Sequence, residues 1–144
     1  MIEHDTIRLL RECDAGIKMG VASIEALAGR IQSPQFQQYL TNCKQKHETL
    51  KSEIQKLLDQ YQDEGKDPSP ISKGMSWIKT NMKLSMDASA QTIADLMTAG
   101  CNMGVKSLNK YLNQYQAADK ASKDLTKRLI DLEEQLAINL RQFL

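Results

Sequence analysis

Four residues of this sequence carry side chains that commonly bind metal ions: His47, Glu133, Cys43 and Cys101. Zinc accepts nitrogen, oxygen and sulfur donors in a tetrahedral arrangement, so the four could form a mononuclear zinc or iron site if the fold gathers them. A histidine inside a helical protein can also form a buried hydrogen-bonded pair with a carboxylate, here Glu133. Which interpretation applies depends on the elements that position these residues.

The sequence lacks the common catalytic motifs. It contains no G-x-S-x-G segment, no phosphate-binding loop and no H-E-x-x-H segment. We therefore expect no enzymatic activity and no catalytic or cofactor-binding residues. Nineteen Lys and Arg against eighteen Asp and Glu give a net charge of +1, which is too small a field to attract nucleic acid. The expected partner is another protein or a second copy of this chain.

The three cysteines indicate a reducing compartment. Cys13, Cys43 and Cys101 are odd in number and form no C-x-x-C pair, so we expect buried thiols rather than disulfides. The first thirteen residues contain acids and no apolar core, and no stretch of about eighteen apolar residues follows. These features predict a soluble, cytoplasmic protein.

The composition and spacing of apolar residues predict an all-α fold. The chain has seventeen Leu and only two Val, and its apolar residues recur every three or four positions. Breaks at Ser33-Pro34, at Asp63-Glu64-Gly65 and around Asp119 separate four long helices, the first ending near Gln32 and the third beginning near Asp87. The predicted organisation is one domain, 1–144, made of hairpin 1 (3–64), a crossover (65–86) and hairpin 2 (87–144).

The length of the crossover predicts the topology. A helix of about 28 residues is roughly 42 Å long, and residues 63–86 are enough to run that length with a short helix on the way. Helices 2 and 3 then start at the same end, and helices 1 and 3 run antiparallel. This is the one-long-crossover topology of ferritin-like four-helix bundles.

The two hairpins look like copies of one unit. Residues 15–24 and 99–108, which are 84 positions apart, share six of ten residues, and helices 2 and 4 align more weakly at an offset of 86. The matched segments contain the glycine pairs Gly16/Gly20 and Gly100/Gly104. We expect these glycines to let helices 1 and 3 pack closely.

Counting from the Ser33-Pro34 turn identifies the residues that share the middle layer. It places residue 47 level with residue 20 and residue 133 level with residue 103. The inward positions of this layer are Ile17, Lys44, His47, Cys101, Ile130 and Glu133. A di-iron centre needs a carboxylate from each of two helices and Glu-x-x-His from each of the others. The sequence has no such motif, so we expect a degenerate di-iron site.

Two further features need a position in the bundle. Asp14 lies on the apolar stripe of helix 1, where we expect a polar bundle-end residue bound to a lysine, level with Lys51 or Glu53. The segment 72–86 is amphipathic, basic and rich in Met. It either covers the bundle that it crosses or contacts a membrane surface or partner. Its characteristic residues are Lys73, Met75, Trp77, Lys79, Met82, Lys83, Leu84 and Met86.

The sequence resembles a family of bacterial ferritin-like four-helix bundle proteins known only as a domain of unknown function. The resemblance spans nearly the whole chain. It rests on the segment 13–20 (CDAGIKMG), on its echo in helix 3 and on Gly74-Met75-Ser76-Trp77. It implies the fold and very little about activity.

Overall fold

The structure is a computed structural model that describes residues 2–66 and 89–144. Within these residues the chain forms four α-helices and no strand, which confirms the prediction of an all-α bundle. The helices are α1 (Ile2–Ala28), α2 (Pro34–Gln60), α3 (Ala90–Gln114) and α4 (Lys120–Leu140), and a short 3-10 helix (Arg141–Phe143) follows α4. The predicted crossover helix and the segment 72–86 lie outside the described residues.

Three of the helices begin at a side-chain cap. Ser33, Ser89 and Asp119 have extended backbones, and each side-chain oxygen accepts a hydrogen bond from the backbone N–H three residues further on. The predicted breaks at Ser33 and Asp119 are therefore confirmed. Helix α3 begins at Ala90 rather than near Asp87, because Ser89 is the residue that caps it.

The ends of α1 and α2 lie earlier than predicted. Helix α1 stops at Ala28, before the poor helix former Gly29, rather than near Gln32. After α2, Gln62 adopts a left-handed conformation with φ of 55°, and the N–H of residue 63 donates to the carbonyl of residue 58. This is a Schellman ending. Gly65 is also left-handed, but no capping glycine is needed there, since Gln62 already closes the helix.

Two buried apolar clusters fill the interior and fix the helix directions. The first joins the end of α1 and the start of α2 to the start of α3 and the end of α4: Ile24, Leu27, Phe36, Leu40, Ile93, Met97, Leu136 and Leu140 are among its members. The second joins the opposite halves of the same helices, with Leu10, Cys13, Ile54, Leu58, Leu108 and Leu125 among its members. Helices α2 and α3 therefore run in one direction and α1 and α4 in the other. The prediction that the first and third helices are antiparallel is confirmed.

Asp14 is fully buried and holds the chain that follows α2. Its Oδ2 lies 2.8 Å from Lys18 Nζ and accepts a hydrogen bond of 3.1 Å from the backbone N–H of Lys66. Gly65 lies so close that any side chain there would overlap the Asp14 carboxylate. The expected lysine partner is Lys18 of α1 itself, rather than Lys51 of α2. Residues 63–66 fold back onto α1 and supply the backbone N–H of Lys66.

The glycines of the matched segments do not all have the expected role. Among residues 2–66 and 89–144, no atom from beyond the local helix backbone lies within 4 Å of where a Cβ would stand at Gly16 or Gly100. The prediction of close helix packing at these two positions is therefore wrong. Gly20 and Gly104 do lie against neighbouring atoms, but those atoms belong to the side chains of a polar pair described below.

The described helices include none that is long and apolar enough to span a membrane.

Replacing Gly16 or Gly100 by alanine should raise the free energy of unfolding by about 1 kcal/mol each, because alanine is the better helix former and the added methyl group meets open space. Urea unfolding of the full chain measures this. Gly20→Ala is the matched control, because it brings the same gain in helix propensity but places a Cβ 3.1 Å from His47 Cδ2. Destabilisation by Gly16→Ala or Gly100→Ala would show that these surfaces are covered.

Candidate functional site

His47 lies in the middle of α2 with no exposed surface. Its Nδ1 is 2.7 Å from the backbone carbonyl oxygen of Cys43, one helical turn earlier. A carbonyl oxygen only accepts hydrogen bonds, so Nδ1 carries a proton and donates it. This contact fixes the orientation of the ring and leaves Nε2 to interact across the bundle.

Glu133 of α4 is the hydrogen-bond partner of His47 Nε2. Its Oε1 lies 2.8 Å from His47 Nε2, and its side chain keeps 13% of its surface exposed. The expected hydrogen-bonded polar pair is therefore present, and it joins the α1–α2 hairpin to the α3–α4 hairpin. The short contact requires one proton between nitrogen and oxygen.

The environment favours a charged imidazole. Burial alone lowers the pKa of His47, but the hydrogen bond to Glu133, the negative charge of that carboxylate and the Cys43 carbonyl together raise it above its usual value. The contact with Glu133 therefore stabilises the protonated form of the imidazole. A buried pair of this kind is costly unless both partners remain in place.

Two cysteine thiols are buried in the same part of the bundle. Burial together with the negative charge of Glu133 raises the pKa of Cys101 well above its usual range. Burial also raises the pKa values of Cys43 and of Tyr39, which precedes it by one turn of α2. The four predicted residues therefore lie in the same part of the bundle, where His47 and Glu133 are joined by a side-chain hydrogen bond and Cys43 contacts His47 through its backbone carbonyl.

The sequence analysis missed Tyr39. A signal for it was present, since residues 39, 43 and 47 follow one another at four-residue intervals and therefore share one face of α2.

Two glycines make room for the pair from α1 and α3. A Cβ at Gly20 would lie 3.1 Å from His47 Cδ2 and 3.7 Å from Glu133 Oε1. A Cβ at Gly104 would lie 3.9 Å from Glu133 Oε2. The two glycines are 84 residues apart, and the two polar residues are 86 apart. These are the offsets at which the two hairpins align in sequence.

The remaining positions of the layer do not fit a di-iron centre. Ile17 and Ile130 are buried in the second apolar cluster, where metal ligands would be required. The prediction that Lys44 points inward is wrong, because its ammonium pairs with Glu25 at 3.1 Å on the surface. Counting residues from the turn gives a height along the helix but not a direction around it.

Within residues 2–66 and 89–144, no three His, Cys, Asp or Glu side chains are already grouped closely enough to hold a metal ion. The remaining cysteine, Cys13, lies elsewhere. Its thiol is 3.1 Å from Thr126 Oγ1, and burial raises its pKa to about 12. All three cysteines are free and buried, as expected.

Two open grooves on the α2 side of the bundle do not reach the His47–Glu133 pair. One, of about 250 Å³, is lined by Lys46, Thr49, Leu50, Arg128 and Leu132. The other, of about 610 Å³, follows the exposed face of α2 from Thr41 to Thr49. His47 and Glu133 line neither groove.

No protein-family model, curated protein or solved structure matches this chain.

The raised pKa of His47 predicts an unusual dependence of stability on pH. A group whose pKa is higher in the folded state contributes stability that is fully present below its unfolded pKa, about 6.5, and is lost as the pH rises through the folded value. The free energy of unfolding should therefore fall as the pH rises through that window. Urea unfolding at a series of pH values measures this.

His47→Gln should remove this decrease of the free energy of unfolding with rising pH. The matched control is His4→Gln, which removes an exposed histidine from α1 and should keep the wild-type profile. A His47→Gln protein with the unchanged wild-type profile would contradict the assignment.

Proposed function

We propose that the protein is a non-enzymatic, cytoplasmic helical bundle of ferritin-like topology that has a structural or protein-interaction role and retains a degenerate di-iron site. The observation that carries this proposal is the hydrogen-bonded pair of His47 and Glu133. Both nitrogens of the histidine are bound to protein atoms, and the pair occupies the layer in which a ferritin-like enzyme would hold its metals.

The surroundings of the pair support the absence of oxygen or iron chemistry. A di-iron centre depends on several carboxylates to balance the charge of two metal ions. Ile17 and Ile130 supply packing instead of charge, and Lys44 lies at the surface. Glu133 is the only carboxylate among the six inward positions named from the sequence.

The helix directions support the ferritin-like topology. Helices α2 and α3 run the same way, as the second and third helices of one-long-crossover bundles do. The short helix predicted within the crossover 65–86 lies outside the described residues.

An internal duplication accounts for the paired features of the two hairpins. Ser33 and Asp119, which cap α2 and α4, are 86 residues apart, as are His47 and Glu133. If each hairpin derives from one ancestral unit, the pair joins equivalent positions of the two copies. When two copies of a hairpin pack symmetrically, residues near the centre contact the equivalent residues of the other copy.

The binding partner is another protein or a second copy of this chain. Exposed apolar side chains are present on α3, in the last turn of α4 and after the 3-10 helix: Met103 (66% exposed), Ile138 (46%) and Leu144 (51%). Single exposed apolar residues are common on monomers, so they leave the identity of the partner to experiment.

Native mass spectrometry of the full chain after incubation with Fe(II) in air tests the proposal. We expect no mass gain corresponding to a di-iron centre and no faster iron oxidation than in protein-free buffer, because the required carboxylates are missing. Two irons per chain with accelerated oxidation would contradict a non-enzymatic role. The same spectrum gives the subunit number, and a discrete dimer would identify the partner as a second copy.

A further inference from the structure

Residues 63–66, which lie just beyond the end of α2 and are termed the latch segment, are joined to α1 by polar contacts. The Arg11 guanidinium pairs with the Asp63 carboxylate through two nitrogens, with Nε 3.1 Å from Oδ1. These hydrogen bonds from Arg11 lower the pKa of Asp63. At the other end of the segment, Lys66 Nζ lies 2.6 Å from Glu12 Oε1. Both ends of the latch segment are therefore bound to the same helix.

Asp14 of α1 supplies a third contact, and it is the buried one. Its Oδ2 accepts a hydrogen bond of 3.1 Å from the backbone N–H of Lys66. The Asp14 side chain is fully buried, whereas the side chains of Arg11 and Lys66 are 47% and 42% exposed. Exposed ion pairs are screened by salt and contribute little, whereas a buried hydrogen bond to a charged group is considerably stronger. The bond to Asp14 is therefore the main contact that holds the segment against α1.

The backbone of the latch segment fits against Asp14 because residue 65 is a glycine. Gly65 has φ of 83°, a conformation that residues with a Cβ rarely adopt. A Cβ at this position would overlap the Asp14 carboxylate and would lie 3.2 Å from Leu58 Cδ1. The N–H of Gly65 donates a hydrogen bond of 2.9 Å to Asp63 Oδ1, which closes the turn. Any side chain at position 65 should therefore push the segment away from α1.

The closed position is not fully favourable for Asp14 itself. Among the residues that the structure describes, no hydrogen-bond partner reaches its buried Oδ1. A buried carboxylate oxygen of this kind lacks the hydrogen bonds that it would form in water. Moving the segment away would return the oxygen to solvent and would offset part of the cost of the broken contacts. Opening therefore costs less than the three contacts alone would give.

The latch segment is held differently from the helices. Its three contacts to α1 are polar, and residues 63–66 belong to neither of the two apolar clusters that join the four helices. A segment held by few apolar contacts can open locally with less free energy than global unfolding requires. Opening of the segment consequently leaves both apolar clusters in place.

We propose that residues 63–66 form a latch that opens and closes on α1 while the four helices stay folded, with the Asp14 carboxylate as the group that holds it closed. In the closed position the latch fixes the direction in which the chain leaves α2. In the open position it exposes the Asp14 carboxylate to solvent. The inference depends neither on the identity of a partner nor on the non-enzymatic role proposed above.

Hydrogen exchange of individual backbone amides, followed by NMR in the isotope-labelled full chain, tests the proposal. In the wild type we expect the Lys66 amide to be protected, but to exchange faster than amides at helix centres such as those of Ile54 and Leu129. Asp14→Ala removes the acceptor, so it should raise the exchange rate of Lys66 at least about tenfold more than it changes the rates at helix centres. Gly65→Ala should have the same effect, because its Cβ overlaps the carboxylate.

Two matched variants serve as controls. Glu53→Ala breaks an exposed ion pair with Arg128 elsewhere on the bundle. Gly29→Ala adds a Cβ that no atom of the described residues, beyond the local backbone, approaches within 4 Å. Both variants should leave the Lys66 amide at its wild-type exchange rate. High salt should also leave this amide protected, because salt screens the exposed ion pairs but not the buried bond.

Several results would overturn the proposal. One is a Lys66 amide that is unprotected in the wild type or that loses its protection in salt alone. Another is an exchange rate at Lys66 that Asp14→Ala and Gly65→Ala leave unchanged. Equal acceleration at Lys66 and at the helix centres would show that the segment opens only when the bundle unfolds. The amides at the helix centres also report whether each variant is folded.

Discussion

The hydrogen bond between His47 Nε2 and Glu133 Oε1 is the contact on which the middle of the bundle depends. A polar group buried without a partner costs free energy, and a buried charge without its partner costs considerably more. Each member of this pair therefore requires the other, and α2 and α4 must meet at the register that brings them together. Rotating either helix by one residue, about 100° around its axis, would separate the two groups.

Residues around the His47–Glu133 pair also hold the two side chains in position. The Cys43 carbonyl sets the orientation of the imidazole, and Gly20 leaves space for the ring where any side chain would press on it. Apolar clusters lie towards either end of the bundle from this layer, with Cys43 in one and Leu50 in the other. Apolar packing therefore flanks the His47–Glu133 pair on both sides. Apolar packing supplies most of the driving force for folding, and the pair makes one register preferable to others.

The periodicity of the sequence predicted the helices, and counting from a tight turn predicted that His47 and Glu133 are level with each other. Both succeed because rise per residue and hairpin geometry are nearly constant in α-helices. The same counting failed for Lys44, since height along a helix does not give the direction around it. It did not predict the bond from Lys66 to Asp14, because the chain after α2 folds back in a way set by the Gln62 and Gly65 conformations. Tertiary contacts decide such local details.

The most direct test of the central contact is a double-mutant cycle at pH 6 with His47→Gln, Glu133→Gln and the double variant, each unfolded in urea. A contact between buried partners should appear as a coupling free energy of about 1–3 kcal/mol, so that the second substitution costs much less than the first. Additive effects of the two substitutions, with no coupling beyond about 0.3 kcal/mol, would contradict the account.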